Sequence, residues 1–274
     1  MALARPPRGG ALDAIELLST PPTPNKGRKS VLYWGPEKTG KTFLALTWPN
    51  PLMIQLDHNW ATLQGHPGVP VIAPGSVRDL TTNILPAIRN RQLTELVRSK
   101  LEGFSEYTVE TIIIDSYTAL DGIHQEELTG AGKMEFSHWA THKRMYEQLT
   151  QGCASATKTL ASQPGETYNF IATVHETIDK DEESGRVLAI WPSVDGSFKK
   201  SMRQYFDAVL ITDFKLEKQP KGPPKGNFFV HTSPPDSFRK CGIGGKGLKF
   251  PAHCQGDYTS LMKHWAPREK RGDS

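Results

Sequence analysis

The chain has 274 residues, 37% of them hydrophobic and 23% charged, enough for one large core or one core with a small appendage. No apolar run approaches the roughly 20 residues that cross a bilayer, and the amino terminus lacks the apolar stretch of a secretory signal. The sequence therefore argues against a membrane-spanning or exported protein and for a cytoplasmic one. The net charge of +4 permits nucleic-acid binding without arguing for it.

Residues 1–29, rich in Pro, Gly and Arg with one apolar patch at 12–18, read as an arm outside the core. Residues 31–34 form a short buried strand that runs into a glycine loop. A helix follows over 41–48, and Pro49 ends it. Strands are predicted at 52–56 and 69–73, and helical spacing over 76–103 with a kink or boundary at Pro86. Residues 111–115 read Thr-Ile-Ile-Ile-Asp, four β-branched residues in a row ending on an aspartate, and so belong to a strand buried on both faces. Helical stretches at 117–129 and 136–162 flank Gly130-Ala131-Gly132. Next come a strand over 168–174 and a hairpin over 177–190 that turns at Glu183-Ser184-Gly185. Strands at 206–212 and 227–232, a glycine-rich loop at 241–247 and a closing helix over 258–265 complete the order. This alternation predicts an α/β domain over 30–266, its mostly parallel sheet covered by helices on both faces, with a short tail at 267–274. Cys153, Cys241 and Cys254 lie too far apart for a paired-thiolate metal motif and read as free thiols.

The glycine loop is Gly35-Pro36-Glu37-Lys38-Thr39-Gly40-Lys41-Thr42, with Phe43 just inside the helix. It has the pattern of a nucleotide-binding P-loop. The glycines let backbone N–H groups turn toward phosphates, Lys41 reaches the β- and γ-phosphates of ATP, and Thr42 places a hydroxyl on Mg²⁺. Asp115, at the carboxyl end of its strand, is the expected second Mg²⁺ residue, acting largely through water; a helix N-cap is the competing role, which Ser116 can also fill. His175 ends the next core strand, beside Glu176, where it either senses the γ-phosphate or is an ordinary surface histidine. Asp57 follows the second strand, where a carboxylate either activates the attacking water or forms an Asx turn.

The order of P-loop, acidic strand end at Asp57, Ile-Ile-Ile-Asp-Ser at 112–116 and Thr-Val-His-Glu at 173–176 resembles the RecA-like ATPase superfamily. More closely it resembles the phage-encoded RecA-like recombinases of the Sak-four type. The resemblance covers about residues 28–266 and takes in Trp191 to Gly196, Tyr205 to Val209 and the basic segment Phe238-Arg239-Lys240 through Phe250-Pro251. It implies a RecA-like core with a β-rich carboxyl extension, ATP hydrolysis, homo-oligomers with ATP near subunit boundaries, and action on single-stranded DNA in the host cytoplasm. A single-strand-binding protein is a further partner of the kind it implies. The sequence departs from the family at Asp57, where glutamate is usual, and at Cys241 to Gly245, which interrupt the basic segment.

The loops after Asp115 and His175 are the expected DNA surface: residues 130–133 and 180–200, with Lys199, Lys200, Trp191 and Phe198 meeting phosphates and bases. Two other readings remain at this stage. A small P-loop kinase would need an arginine lid, for which the region around Arg186 and Arg203 is the one candidate, and a nucleotide-dependent interaction or loader module would turn over slowly.

Overall fold

The computed structural model describes residues 27–57, 60–130, 132–158, 165–217, 225–244 and 248–265. The expected arm up to residue 26, its apolar patch and the tail lie outside the described residues. Residues 27–29, assigned to the arm from sequence, are tied to the core. Arg28 donates from Nη1 to Glu110 at 2.6 Å, the Lys29 N–H donates to Asn169 Oδ1 at 3.0 Å, and the Lys29 carbonyl accepts from the Phe170 N–H.

The strands are β1 (Ser30–Gly35), β2 (Pro51–Gln55), β3 (Val71–Ile72), β4 (Thr111–Asp115), β5 (Asn169–Lys180), β6 (Val187–Pro192), β7 (Ala208–Glu217), β8 (Lys225–His231), β9 (Gly242–Ile243) and β10 (His253–Gln255). The main sheet runs β10-β8-β7-β1-β5-β4-β2-β3. From β7 to β3 every neighbouring pair is parallel, while β8, β9 and β10 join antiparallel at the carboxyl side. This is the expected mostly parallel α/β core with a strand-rich carboxyl extension. The short β9 within the expected 241–247 loop, and β10, had no period-2 pattern long enough to reveal them.

Side chains alternate along the central strands into two cores. Leu32, Trp34, Ile112, Ile114, Phe170, Ala172 and Val174 face one side; Val31, Tyr33, Ile113 and Ile171 face the other. The first face is covered by α2 (Val77–Asp79), α3 (Leu85–Arg89), α4 (Leu93–Lys100), α5 (Tyr117–Thr129) and α6 (Phe136–Ser155). The second is covered by α1 (Lys41–Leu46) and the closing α8 (Tyr258–Trp265); the short α7 (Phe198–Ser201) belongs to the first. Pro86 has no N–H to give the Thr82 carbonyl, and the helix widens into a π turn, Leu80–Ile84, just before it. The helix expected over 136–162 stops at Ser155. Among the described residues no helix is long and apolar enough to cross a membrane.

Beyond His175, β5 continues out of the sheet and pairs antiparallel with β6, from Glu176↔Pro192 to Lys180↔Val187. The base of this hairpin is pinned to α5 and α6. Asp121 Oδ1 accepts from the Asp195 N–H at 3.1 Å and lies 2.8 Å from His142 Nε2, and the buried His142 and His124 rings stack at 5.0 Å. Burial lowers the His124 pKa to about 4, so this pair is not doubly charged.

Candidate functional site

β1 delivers the loop to the carboxyl edge of the sheet. At Gly35 φ is 143°, and a Cβ would lie 2.8 Å from the Thr212 carbonyl oxygen, so glycine is required on both counts. Lys38 and Gly40 adopt left-handed conformations, with φ of 59° and 80°. Thr39 fastens the loop to the sheet. Its hydroxyl donates to the Pro36 carbonyl at 2.8 Å and lies 2.6 Å from the Thr212 hydroxyl of β7.

Lys41, 6% exposed, points back into the loop and donates to the Gly35 and Pro36 carbonyls at 3.1 and 2.6 Å. Burial pulls its pKa down to about 8, against the upward influence of Asp115, Glu176 and Glu37. The lysine is thus an ammonium held by neutral carbonyls, which a phosphate oxygen can outcompete.

Asp115 is buried between two hydroxyls. Thr42 donates to its Oδ2 at 2.9 Å, and Thr173 of β5 donates to its Oδ1. Burial raises its pKa to about 6, with the Asp57 charge adding to the rise and Thr173, Thr42 and Lys41 opposing it. Ser116, and not Asp115, caps α5, accepting from the Ala119 N–H at 3.2 Å. That leaves Asp115 beside Thr42, as the metal assignment requires.

His175 is paired with Gly35 across β1 and β5, and its N–H donates to Thr118 Oγ1 at 2.9 Å. Its ring Nδ1 is buried with no hydrogen-bond partner among the described residues. Burial and then Lys41 lower its pKa, against Glu37 and Asp57, so the ring is neutral near pH 7. Asp57 receives hydrogen bonds from Gln55 Nε2 on its carbonyl, at 2.8 Å, and on its carboxylate. Lys41, Asp57, Asp115 and His175, far apart in sequence, therefore come together: Lys41 and Asp57 each act on both Asp115 and His175.

Magnesium and ATP fit this arrangement. A cation with only carbonyls to hold, a buried ring nitrogen without a partner, and two oxygen donors 2.9 Å apart match a phosphate chain and a hard divalent ion. Thr42 and Asp115 would hold the ion.

Phe43 is placed differently from the rest of the loop. Its ring lies over Phe228 of β8, with centroids 5.5 Å apart, and is 43% exposed. Phe228 also packs on Gly40, where a Cβ would lie 2.5 Å from the ring.

Sequence reasoning missed two supports, Thr212 and Phe228, and the partner of a third, Arg239, which it named only as part of a basic segment. Arg239 grips both oxygens of Glu176, at 2.9 and 3.0 Å, and Asp236 at 2.5 Å. The glutamate of the His-Glu pair is therefore already engaged. Phe198, expected on the DNA surface, is instead fully buried and stacks on Tyr146 at 5.0 Å. Phe198 and Met202 are spaced i,i+4 on an inward face, a signal its lysine neighbours obscured. Lys199 lies 3.9 Å from Asp179 and Lys200 is exposed. Arg186 sits at the far turn of the hairpin and Arg203 beside Trp34, so the two do not form one arginine lid.

The three cysteines are free. No curated protein is significantly similar to the chain. Among solved structures, the flagellar accessory protein FlaH from Methanocaldococcus jannaschii is similar at 15% identity, over 78% of this chain and 84% of that one, with a TM-score of 0.30. Residues 27–239 match the AAA domain family AAA_24, and with most of its length and its whole P-loop inside that match, the chain belongs to this family of P-loop ATPases.

Proposed function

We propose that the protein hydrolyses ATP and that single-stranded DNA stimulates this turnover. P-loop ATPases generally bind nucleotide with Mg²⁺, and bound Mg²⁺ supplies charge neutralisation on the phosphates. Lys41 turns from the loop carbonyls to the β- and γ-phosphates. Asp57 orients a water for in-line attack on the γ-phosphorus, the bond to the β–γ bridging oxygen breaks, and ADP leaves with that electron pair. The neutral His175 ring contacts the γ-phosphate and responds to its loss.

The observation that carries the DNA reading is the continuity of β5. One strand holds Thr173 against Asp115, carries His175, and then becomes the β5–β6 hairpin. The tip itself is acidic, with Asp179, Asp181, Glu182 and Glu183 against Lys180 and Arg186, so the charge offered to a nucleic-acid backbone comes from beyond β6, from the exposed Lys200 and from Lys199 when it leaves Asp179. A role in recombination or strand annealing, as in RecA-like proteins of the Sak-four type, and self-association with ATP near subunit boundaries belong to this reading.

The test is hydrolysis by the full chain with and without an unstructured DNA oligonucleotide. We expect slow basal turnover that rises severalfold with DNA. Turnover indifferent to DNA refutes the stimulation, and no turnover under either condition refutes the ATPase reading.

A further inference from the structure

A cavity of about 220 Å³ lies between β6, the 3₁₀ turn Met202–Tyr205 and residues 237–240. Its lining brings together Arg203, Lys240 and the Ser237 hydroxyl, and contains no carboxylate. Trp34, at its floor, is 1% exposed and has an indole N–H with no acceptor among the described residues.

The charges here do not balance internally. Three cations, Arg203, Arg239 and Lys240, occupy this corner, and the two neighbouring carboxylates, Glu176 and Asp236, are both engaged by Arg239. Arg203 has no side-chain hydrogen bond or ion pair among the described residues, and burial lowers its pKa from the ordinary value. Cys241 acts on it, but burial pushes that thiol up to about 11, so no thiolate compensates the guanidinium near neutral pH. A half-buried guanidinium without a counter-charge is unfavourable, and an anion from outside would offset that cost.

We propose that this cavity is a phosphate-binding site separate from the P-loop, in which Arg203 and Lys240 hold one phosphate group. Its size is below the roughly 300–1,000 Å³ of pockets that enclose drug-sized ligands, which leaves room for one phosphate and the edge of an attached ring but not for a whole nucleoside triphosphate. Planar guanidinium and point-like ammonium together suit a phosphate with two oxygens presented. Trp191 and Phe238 at the wall give a base attached to that phosphate a surface to stack on. The phosphate belongs to a nucleic-acid strand or to a free small phosphate. The site itself does not depend on the DNA reading; only the source of its phosphate does.

The experiment fills the P-loop with ADP and Mg²⁺ and compares the full-length wild type with Arg203→Gln and Lys240→Gln. The probes are a fluorescent twelve-residue thymidine oligonucleotide, followed over a salt series, and inorganic phosphate, followed by ³¹P line broadening. If a strand phosphate binds, each variant should lose about tenfold in oligonucleotide affinity, and the slope of log affinity against log salt should fall by about 0.7. If the source is a free phosphate, oligonucleotide binding stays as in the wild type while phosphate broadening is lost in both variants. Wild-type values for both probes in both variants overturn the site. A wild type that binds no oligonucleotide refutes the DNA reading alone, because phosphate broadening still decides the cavity. Lys240 is exposed, so its variant tests the site even if Arg203→Gln fails to fold.

Discussion

Replacing Asp115 with Asn should stabilise the nucleotide-free protein while destroying its Mg²⁺-dependent activity. The Asp115 pKa is raised from 3.8 to about 6, chiefly by burial. A carboxyl whose folded pKa lies above its unfolded one favours folding while it is protonated. That advantage is complete below about pH 4 and is lost as pH rises through 6. Above pH 6 the folded chain carries a desolvated carboxylate, and about two pKa units at 1.36 kcal/mol each make the penalty ~3 kcal/mol. Asparagine carries no charge but makes weaker bonds to the Thr42 and Thr173 hydroxyls, so the net gain at pH 7.5 should be about 1–3 kcal/mol. For a domain of this size that raises Tm by about 3–8 °C. The assay is thermal unfolding of both proteins from pH 4 to 8, without nucleotide or divalent ion, then with MgATP. The gap should close toward pH 4, and MgATP should raise the wild-type Tm much more than that of the variant. A variant less stable than wild type at pH 7.5, or a gap independent of pH between 4 and 6, refutes the reasoning.

Lys41→Ala should lower turnover more than about 100-fold, since the ammonium faces charge that develops on the phosphates. Its Tm should move by only a few degrees, because the lysine's buried charge is already unfavourable in the folded chain; normal hydrolysis at saturating ATP would remove Lys41 from the site. Gly40→Ala should cost about 2–4 kcal/mol, from the left-handed φ of 80° and the clash of the new Cβ with Phe228. Adding Phe228→Ala should cost less on that background than alone, and strictly additive losses in a double-mutant cycle would refute the contact.

The elements with strong local signals were legible. The short β-branched run at 111–114 marked a buried strand, and the P-loop was marked by glycine spacing between a strand and a helix. Lys41, Thr42, Asp57, Asp115 and His175 could be named as candidates from sequence because each stands at the loop or at the end of a core strand. The supporting residues were not legible, because what defines them is contact at long range. Gly40 and Phe228 are 188 positions apart, and nothing local to Phe228 marks it as the neighbour of a glycine. Thr173 was quoted within a motif, yet its bond to Asp115 depends on β5 being inserted between β1 and β4. Phe198 was misread because two lysines beside it suggested a wet surface, while its neighbour four residues on, Met202, decided its burial.

The long β5 strand has the geometry of a lever. Its inner end rests on Asp115 through Thr173, and its fulcrum lies near His175 and Glu176, where Thr118 and Arg239 grip it and the Asp121 carboxylate holds Asp195, three residues past its return strand. From His175 to the turn at Asp181 is six residues, about 20 Å at 3.3 Å each. A tilt of about 5° at the fulcrum therefore swings the tip through about 1.7 Å over that arm. A fraction of an ångström gained or lost at the phosphate end becomes a displacement at the tip comparable to the length of a covalent bond. Among the described residues the arm beyond the fulcrum pairs with no strand but β6, and Lys199 beside Asp179 is the ion pair that ties it to the rest of the domain.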